Sequence, residues 1–181
     1  YYNPYDGGKF PRDSIYDRLE TADLICTESQ DILSRGVHDL PGPAHPALAM
    51  KAGQDEDSGV RPFGIIHSCP GMDWRHVGLP TAEYLPWMCQ VPAARGTVWH
   101  SVTGYCDTIP DKRILRAVAR VNGMIEKTEA DMDGAVSRAQ VLLLWDGTSI
   151  AVSWAEALIK SHIQFDLMHD FRIRPDRMDR Y

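Results

Sequence analysis

Several absences narrow the field before anything present is weighed. The longest apolar run, 141–145 (VLLLW), is far too short to cross a bilayer, which takes about 20 residues. Basic residues are outnumbered by acidic ones, 19 to 25, and the formal charge is −6. With no basic stripe, nucleic acid is not an expected partner, and neither is a membrane. The four cysteines, Cys26, Cys69, Cys89 and Cys106, contain no CxxC pair or other zinc-like spacing. A disulfide scaffold is not expected at this size; Cys26, Cys69 and Cys89 sit in apolar or aromatic surroundings and read as reduced, buried thiols. No G-x-G-x-x-G follows a candidate strand, so no phosphate-cradling loop and no cofactor is implied; after 140–145 the chain runs Asp146-Gly147-Thr148-Ser149. There is no internal repeat. No secretory leader opens the chain, which favours the cytoplasm. The first residue is Tyr1 rather than Met, so further sequence is expected upstream.

What is present reads as globular: 44% hydrophobic and 9% aromatic over 181 residues, one domain or two small ones. Buried strands are predicted at 22–27 (ADLICT), 63–68 (FGIIHS), 97–102 (TVWHSV), 140–145 (QVLLLW) and 163–168. They are apolar without strict alternation, as strands covered on both faces are. Helices are predicted at 14–20, 29–34, 81–91 (despite Pro86), 111–132 and 151–161. In 111–132, Ile114, Val118, Val121 and Ile125 share a face. Thr108 and Asp111, three apart, read as a capping box, and Gly134 as the stop. Residues 40–46, rich in Pro and Gly, and the acidic stretch Asp55-Glu56-Asp57 read as loops. Trp154, Leu158 and Ile159 are expected to pack the last helix on its sheet. Strands alternating with helices predict βα units and parallel sheets.

The segment from Ala135 starts a fresh strand-helix-strand that ends at Tyr181 before it makes a whole sheet, and a complete (β/α)8 barrel takes about 250 residues. Both ends are therefore expected to be cut. The alternative is one compact α/β domain of about five strands.

The segments NPYDGGKFPRDSIYDRLETADLICTESQDIL, GMDWRHVGLPTAEYLPWM and TVWHSVTGYCDTIPDKRILRAVARVN resemble glycoside hydrolase-like (β/α)8 barrels. VLLLWDGTSIAVSWAEALIKSHIQFDLM resembles the first β-α-β of a β-galactosidase trimerisation-type domain, a flavodoxin-like fold related to class I glutamine amidotransferases. The resemblance covers nearly the whole chain, and its segments are family signatures rather than a catalytic motif. It implies the C-terminal part of a TIM barrel over 1–134 and the start of the second α/β domain over 135–181. It also implies glycosidase activity in carbohydrate metabolism, and self-association through the second domain. Strands 97–102, 63–68 and 22–27 would be barrel strands 8, 7 and 6, and residues 1–3 the end of strand 5. No cysteine follows Cys106, so amidotransferase chemistry is not implied.

Barrel active sites lie at the C-terminal strand ends. That rule selects Asn3 and Asp6 after strand 5, and Glu28 after strand 6. It selects His67, Asp73, Trp74, Arg75 and His76 after strand 7, and Trp99 and His100 at strand 8. Glycoside hydrolysis needs two carboxyl groups. Glu28 is the candidate general acid/base, since an apolar strand end would raise its pKa as a proton donor requires. Its partner would lie on strand 4, upstream, as in the α-fucosidase and α-galactosidase barrels this region resembles. Asp73 is the second candidate carboxylate. No Glu stands on strand 7, so the β-galactosidase nucleophile pattern is not matched. Asn3, Asp6, His67, Trp74, Arg75, His76, Trp99 and His100 are candidates for sugar binding, by hydrogen bonds to hydroxyls and stacking on the ring. The competing roles are structural: Glu28 at a helix start, an Asp73–Arg75 ion pair, Trp99 as core. Two other functions stay open, a barrel that binds carbohydrate without cleaving it and a metal-dependent hydrolase using His67, Asp73 and His76.

Overall fold

The computed structural model describes residues 23–28, 44–54, 61–170 and 173–181. Asn3 and Asp6, and the helices expected at 14–20 and 29–34, lie outside them, as does the Glu28 side chain. The described chain is mixed α/β. Strands β1 (Ile25–Glu28), β2 (Pro62–His67) and β3 (Thr97–Ser101) form one sheet, and β4 (Val141–Trp145) and β5 (Phe165–His169) a second. The helices are α1 (His45–Gly53), α2 (Thr81–Ala93), α3 (Arg113–Met132) and α4 (Ser149–Lys160). All pairings are parallel, as the strand-helix alternation predicts. Among the described residues no helix is long and apolar enough to cross a membrane.

The first sheet runs β1-β2-β3 in chain order, with Cys26 opposite Phe63 and Ile65 opposite Trp99. Side chains alternate between its faces. On one face Pro62, Gly64 and Ile66 are buried. Ile66 joins a core with Tyr84, Trp87, Met88 and Val91 of α2 and Ile114, Ala117 and Val121 of α3. On the other face Phe63, Ile65 and His67 are only half-buried, and Trp99 is 50% exposed with its ring 5.4 Å from that of Phe63.

The start of α3 departs from the capping-box expectation. Thr108 Oγ1 donates to Tyr105 O (3.3 Å) rather than capping a helix, and the helix begins at Arg113. Asp111 instead accepts from the Arg113 backbone N–H (3.1 Å) and pairs with its guanidinium at 2.6 Å. The same carboxylate accepts from Gly78 N (3.2 Å), so it ties the loop after β2 to the start of α3. These bonds from Arg113 hold the Asp111 carboxyl well below the usual carboxylate range. Gly134, at φ +71, turns the chain after α3 as expected.

Helix α1 was not expected: it lies between the two stretches read as loops and takes in the last two residues of the first. Pro46 sits in its first turn, where a missing N–H costs nothing, and Ala47-Leu48-Ala49-Met50 are good helix formers. It is buried nearly all round, which hides any one-faced pattern. A Cβ on Gly53 would stand 2.8 Å from Thr27 Cγ2, so glycine sets how closely α1 approaches β1. Ala49 and Met50 belong to the first core, while Leu48 and Ala52 belong to a second with Ile25, Trp145, Phe165, Ala151 and Ala155. Lys51 Nζ donates to Phe165 O (2.8 Å) and His169 Nε2 to Ala52 O (2.9 Å). One short helix thus joins the two sheets.

In the second sheet Asp146 Oδ1 accepts from Thr148 N (2.9 Å), and Thr148 Oγ1 accepts from Ala151 N to cap α4. Leu158 and Ile159 pack toward the sheet as expected, but Trp154 does not: it is 62% exposed. Ala151 and Ala155 face the core, and two alanines bring the helix too close to the sheet for an indole to enter beside them. Helices α2 and α4 both end in Schellman turns. Gly96 N donates to Val91 O and Arg95 N to Pro92 O; Ile163 N donates to Leu158 O and His162 N to Ile159 O. The left-handed position is Arg95 (φ +66) in the first and His162 (φ +55) in the second, where glycine is usual. Left-handed backbone costs an L-residue roughly 1–2 kcal/mol.

No disulfide forms among the described residues. Cys69 is buried, Cys26 and Cys89 partly, and Cys106 is exposed; burial pushes the Cys69 thiol up, which makes it unreactive.

Candidate active site at the strand ends

Parallel strands in one sheet bring their carboxyl ends to one edge. Glu28, His67 and Ser101 close β1, β2 and β3 there, with Glu28 opposite Ile65 and His67 opposite Ser101. Just beyond His67, Ser68 N donates to Ser101 O (3.0 Å) and Leu79 N to Ser68 O (2.8 Å), so the loop between them leaves and returns at this edge. Within it Met72–Trp74 form a 3-10 turn, closed by Trp74 N to Gly71 O (3.0 Å), and Val77 N donates to Trp74 O (2.9 Å). Asp73, Arg75 and His76 are exposed around Trp74, itself 54% exposed. Among the described residues the Asp73–Arg75 ion pair is not formed.

The edge therefore gathers Glu28, His67 and the 73–76 loop, with Trp99 one pairing step back on the open face of the sheet. It does not gather His100. Neighbours along a strand face opposite ways, and His100 points to the helix side, where Nε2 donates to Asn122 Oδ1 of α3 (3.1 Å). Burial lowers its pKa, and the bond to Asn122 offsets this only in part. The ring pins β3 to α3, on the side of the sheet away from the open face that carries Trp99. Trp99 is not core. Among the described residues no three His, Cys, Asp or Glu side chains are placed to hold a metal ion, so His67, Asp73 and His76 do not converge on one.

Sequence reasoning missed the opposite end of the strands. There a cleft of about 590 Å³ opens between α1, the last turns of α2 and α4, and the chain entering β4. Lys51, Arg95, Arg138, His162 and Asp166 line it. They come from four separate stretches of chain, so no local motif announces them. The one readable signal is a basic residue at each of two helix ends where glycine is the default.

The chain matches no protein-family model, no curated protein and no solved structure.

Proposed function

We propose that this chain carries the strand-6-to-8 part of a glycoside hydrolase-like barrel site, acting on O-glycosyl bonds with Glu28 as general acid/base. The observation that carries the reading is the sheet β1-β2-β3: three successive parallel strands in chain order. They deliver Glu28, His67 and the Asp73–His76 loop to one edge. Sugar recognition suits that edge. Trp74 and Trp99 offer exposed ring faces to the C–H surface of a pyranose, and Arg75, His76 and His67 offer hydrogen bonds to its hydroxyls. The second carboxylate is Asp73 or a residue on an upstream strand, and its distance from Glu28 would set retention or inversion. Residues 135–181 serve as a packing and self-association unit rather than a catalytic one. Ile150 and Trp154 are the large exposed apolar side chains on α4 that suit that role. A cytoplasmic setting fits the same reading.

A second reading is favoured by the two exposed tryptophans: a barrel that binds carbohydrate without cleaving it. The experiment is hydrolysis of a panel of aryl glycosides by the full-length protein and by its Glu28→Gln variant. Hydrolysis that falls at least about 100-fold in the variant, with unchanged folding, supports the acid/base role. Equal hydrolysis by both removes Glu28 from the mechanism. Saturable sugar binding with no turnover in either supports the binding reading.

A further inference from the structure

The cleft at the strand starts has the size of a metabolite pocket and the charge of an anion site. Ligand pockets run about 300–1,000 Å³, and this one is about 590 Å³. Among the described residues three formal cations line it, Lys51, Arg95 and Arg138, against one carboxylate, Asp166. That carboxylate is already occupied. It accepts from Ser137 Oγ (2.8 Å), Tyr181 Oη (2.7 Å) and Arg180 (2.9 Å), and Lys51 Nζ stands 3.9 Å away. Lys51 is held by Phe165 O and lies 5.2 Å from the centre of the Phe165 ring. Burial pushes its pKa down, nearby Asp166 raises it, and Arg95 lowers it again. Neither Arg95 nor Arg138 has a carboxylate partner among the described residues. Two guanidinium groups, each with a donor fork matched to an oxyanion, thus share one concavity with no carboxylate of the described residues on them.

The backbone adds an independent observation. Arg95 and His162 are the non-glycine residues with positive φ among the described ones, and both line this cleft. Each occupies the left-handed position of a Schellman turn, where glycine would be free of strain. The next residue after Arg95 is Gly96, and packing demands it: a Cβ there would run into Met50 Sδ. No such demand explains Arg95. A cation does complement a helix C-terminus. The last turn of α4 already has Lys160 for that purpose, on ordinary helical backbone. Strained backbone holding a basic side chain at each of two walls of one cleft is the pattern of a ligand clamp. The helix ends do not oppose an anion with open carbonyls, because the Schellman bonds and Gln54 Nε2 on Ala94 O take them up.

We propose that this cleft binds a small organic anion, a carboxylate or phosphate ester with an apolar part. Arg95 and Arg138 hold the oxyanion, Lys51 and His162 flank it, and Val136 and Ile163, both exposed in the lining, cover the carbon skeleton. The site is separate from the strand-end edge and does not depend on glycosidase chemistry.

The test is calorimetric titration of the whole chain with phenyl phosphate, benzoate and benzyl alcohol, at low and at physiological salt. The expected result is saturable one-to-one binding of phenyl phosphate, benzoate or both, with benzyl alcohol at least tenfold weaker; the stronger anion identifies the oxyanion. Arg95→Gly separates a ligand role from a structural one, because it relaxes the backbone. It should fold at least as well as the parent yet bind the anion at least tenfold more weakly, and Arg138→Ala should weaken binding in the same way. Absence of saturable anion binding, binding of the neutral alcohol equal to the anions, or full affinity in Arg95→Gly would each overturn the proposal.

Discussion

The two ends of the parallel strands are built on opposite plans. At the carboxyl ends the chemistry-bearing side chains stand on a loop and on an open sheet face; Asp73, Trp74, Arg75, His76 and Trp99 are all exposed. At the starting ends Asp166 takes three hydrogen bonds, Lys51 holds a backbone carbonyl, and two helix ends fold back on themselves, while Arg95 and Arg138 have no carboxylate partner among the described residues. The first end is adaptable; the second is preorganised at Lys51, at Asp166 and in the backbone of the two helix ends. Preorganised groups give up little freedom on binding, whereas loop groups lose rotamer freedom when a ligand orders them. The comparison teaches that position in a βα fold nominates an edge, while the state of each side chain decides what the edge can do.

The largest expected effect lies at the carboxyl end. If Glu28 is the proton donor, Glu28→Gln lowers turnover of aryl glycosides by about 100- to 10,000-fold with no loss of fold. Turnover and circular dichroism on the same sample check it, and an unchanged rate leaves that edge as a binding surface only. The next effect tests whether the two ends are mechanically one body. Leu48 belongs to the second core while its helix neighbour Met50 belongs to the first. Leu48→Ala should cost about 2–5 kcal/mol and lower a single urea transition seen alike by tryptophan fluorescence and circular dichroism. Two separated transitions would show that α1 does not couple the sheets.

Much of the frame was legible in the sequence, because five apolar runs bounded by turns have few other uses. What was lost follows from specific physics. Helix α1 is buried all round and opens with proline, so neither periodicity nor composition marks it against the Pro-rich stretch before it. Thr108 and Asp111 have capping-box spacing, but Asp111 bonds Arg113 two residues on, and a spacing rule cannot tell the two apart. Strand alternation alone separates two of the candidates: adjacent strand residues face opposite ways, so Trp99 and His100 stand on different faces of the sheet. Of the candidate site, the strand-end membership of Glu28 and His67 came directly from the strands. The cleft could not, since its lining is assembled from α1, two helix ends, the 135–138 stretch and β5.

A smaller effect, of opposite sign, sharpens the contrast at the starting end. Arg95→Gly removes left-handed strain and should raise stability by about 1 kcal/mol in urea unfolding, since the Schellman bonds use only backbone atoms. Few substitutions of a charged residue stabilise a protein, so a gain here with a loss of anion affinity separates strain from structure. A loss of stability would mean that the side chain itself supports the fold.

The smallest effect concerns the tether of the exposed loop. Asp111 holds Gly78 N at the end of that loop and Arg113 at the head of α3, and its carboxyl is kept below the usual range chiefly by the Arg113 hydrogen bonds. A carboxyl depressed on folding contributes stability above its unfolded value, about pH 4, and loses that contribution as pH falls through its folded value. Asp111→Asn should therefore be less stable than the parent at pH 7, and the gap should close progressively as pH is lowered below about 4. The pair is largely solvent-exposed, so the difference should be modest and shrink in high salt. Paired urea titrations from pH 7 to pH 2 measure it. A gap that stays constant with pH would assign Asp111 a packing role. A gap that closes would mark it as the electrostatic anchor that lets the 73–76 loop stay exposed without being loose.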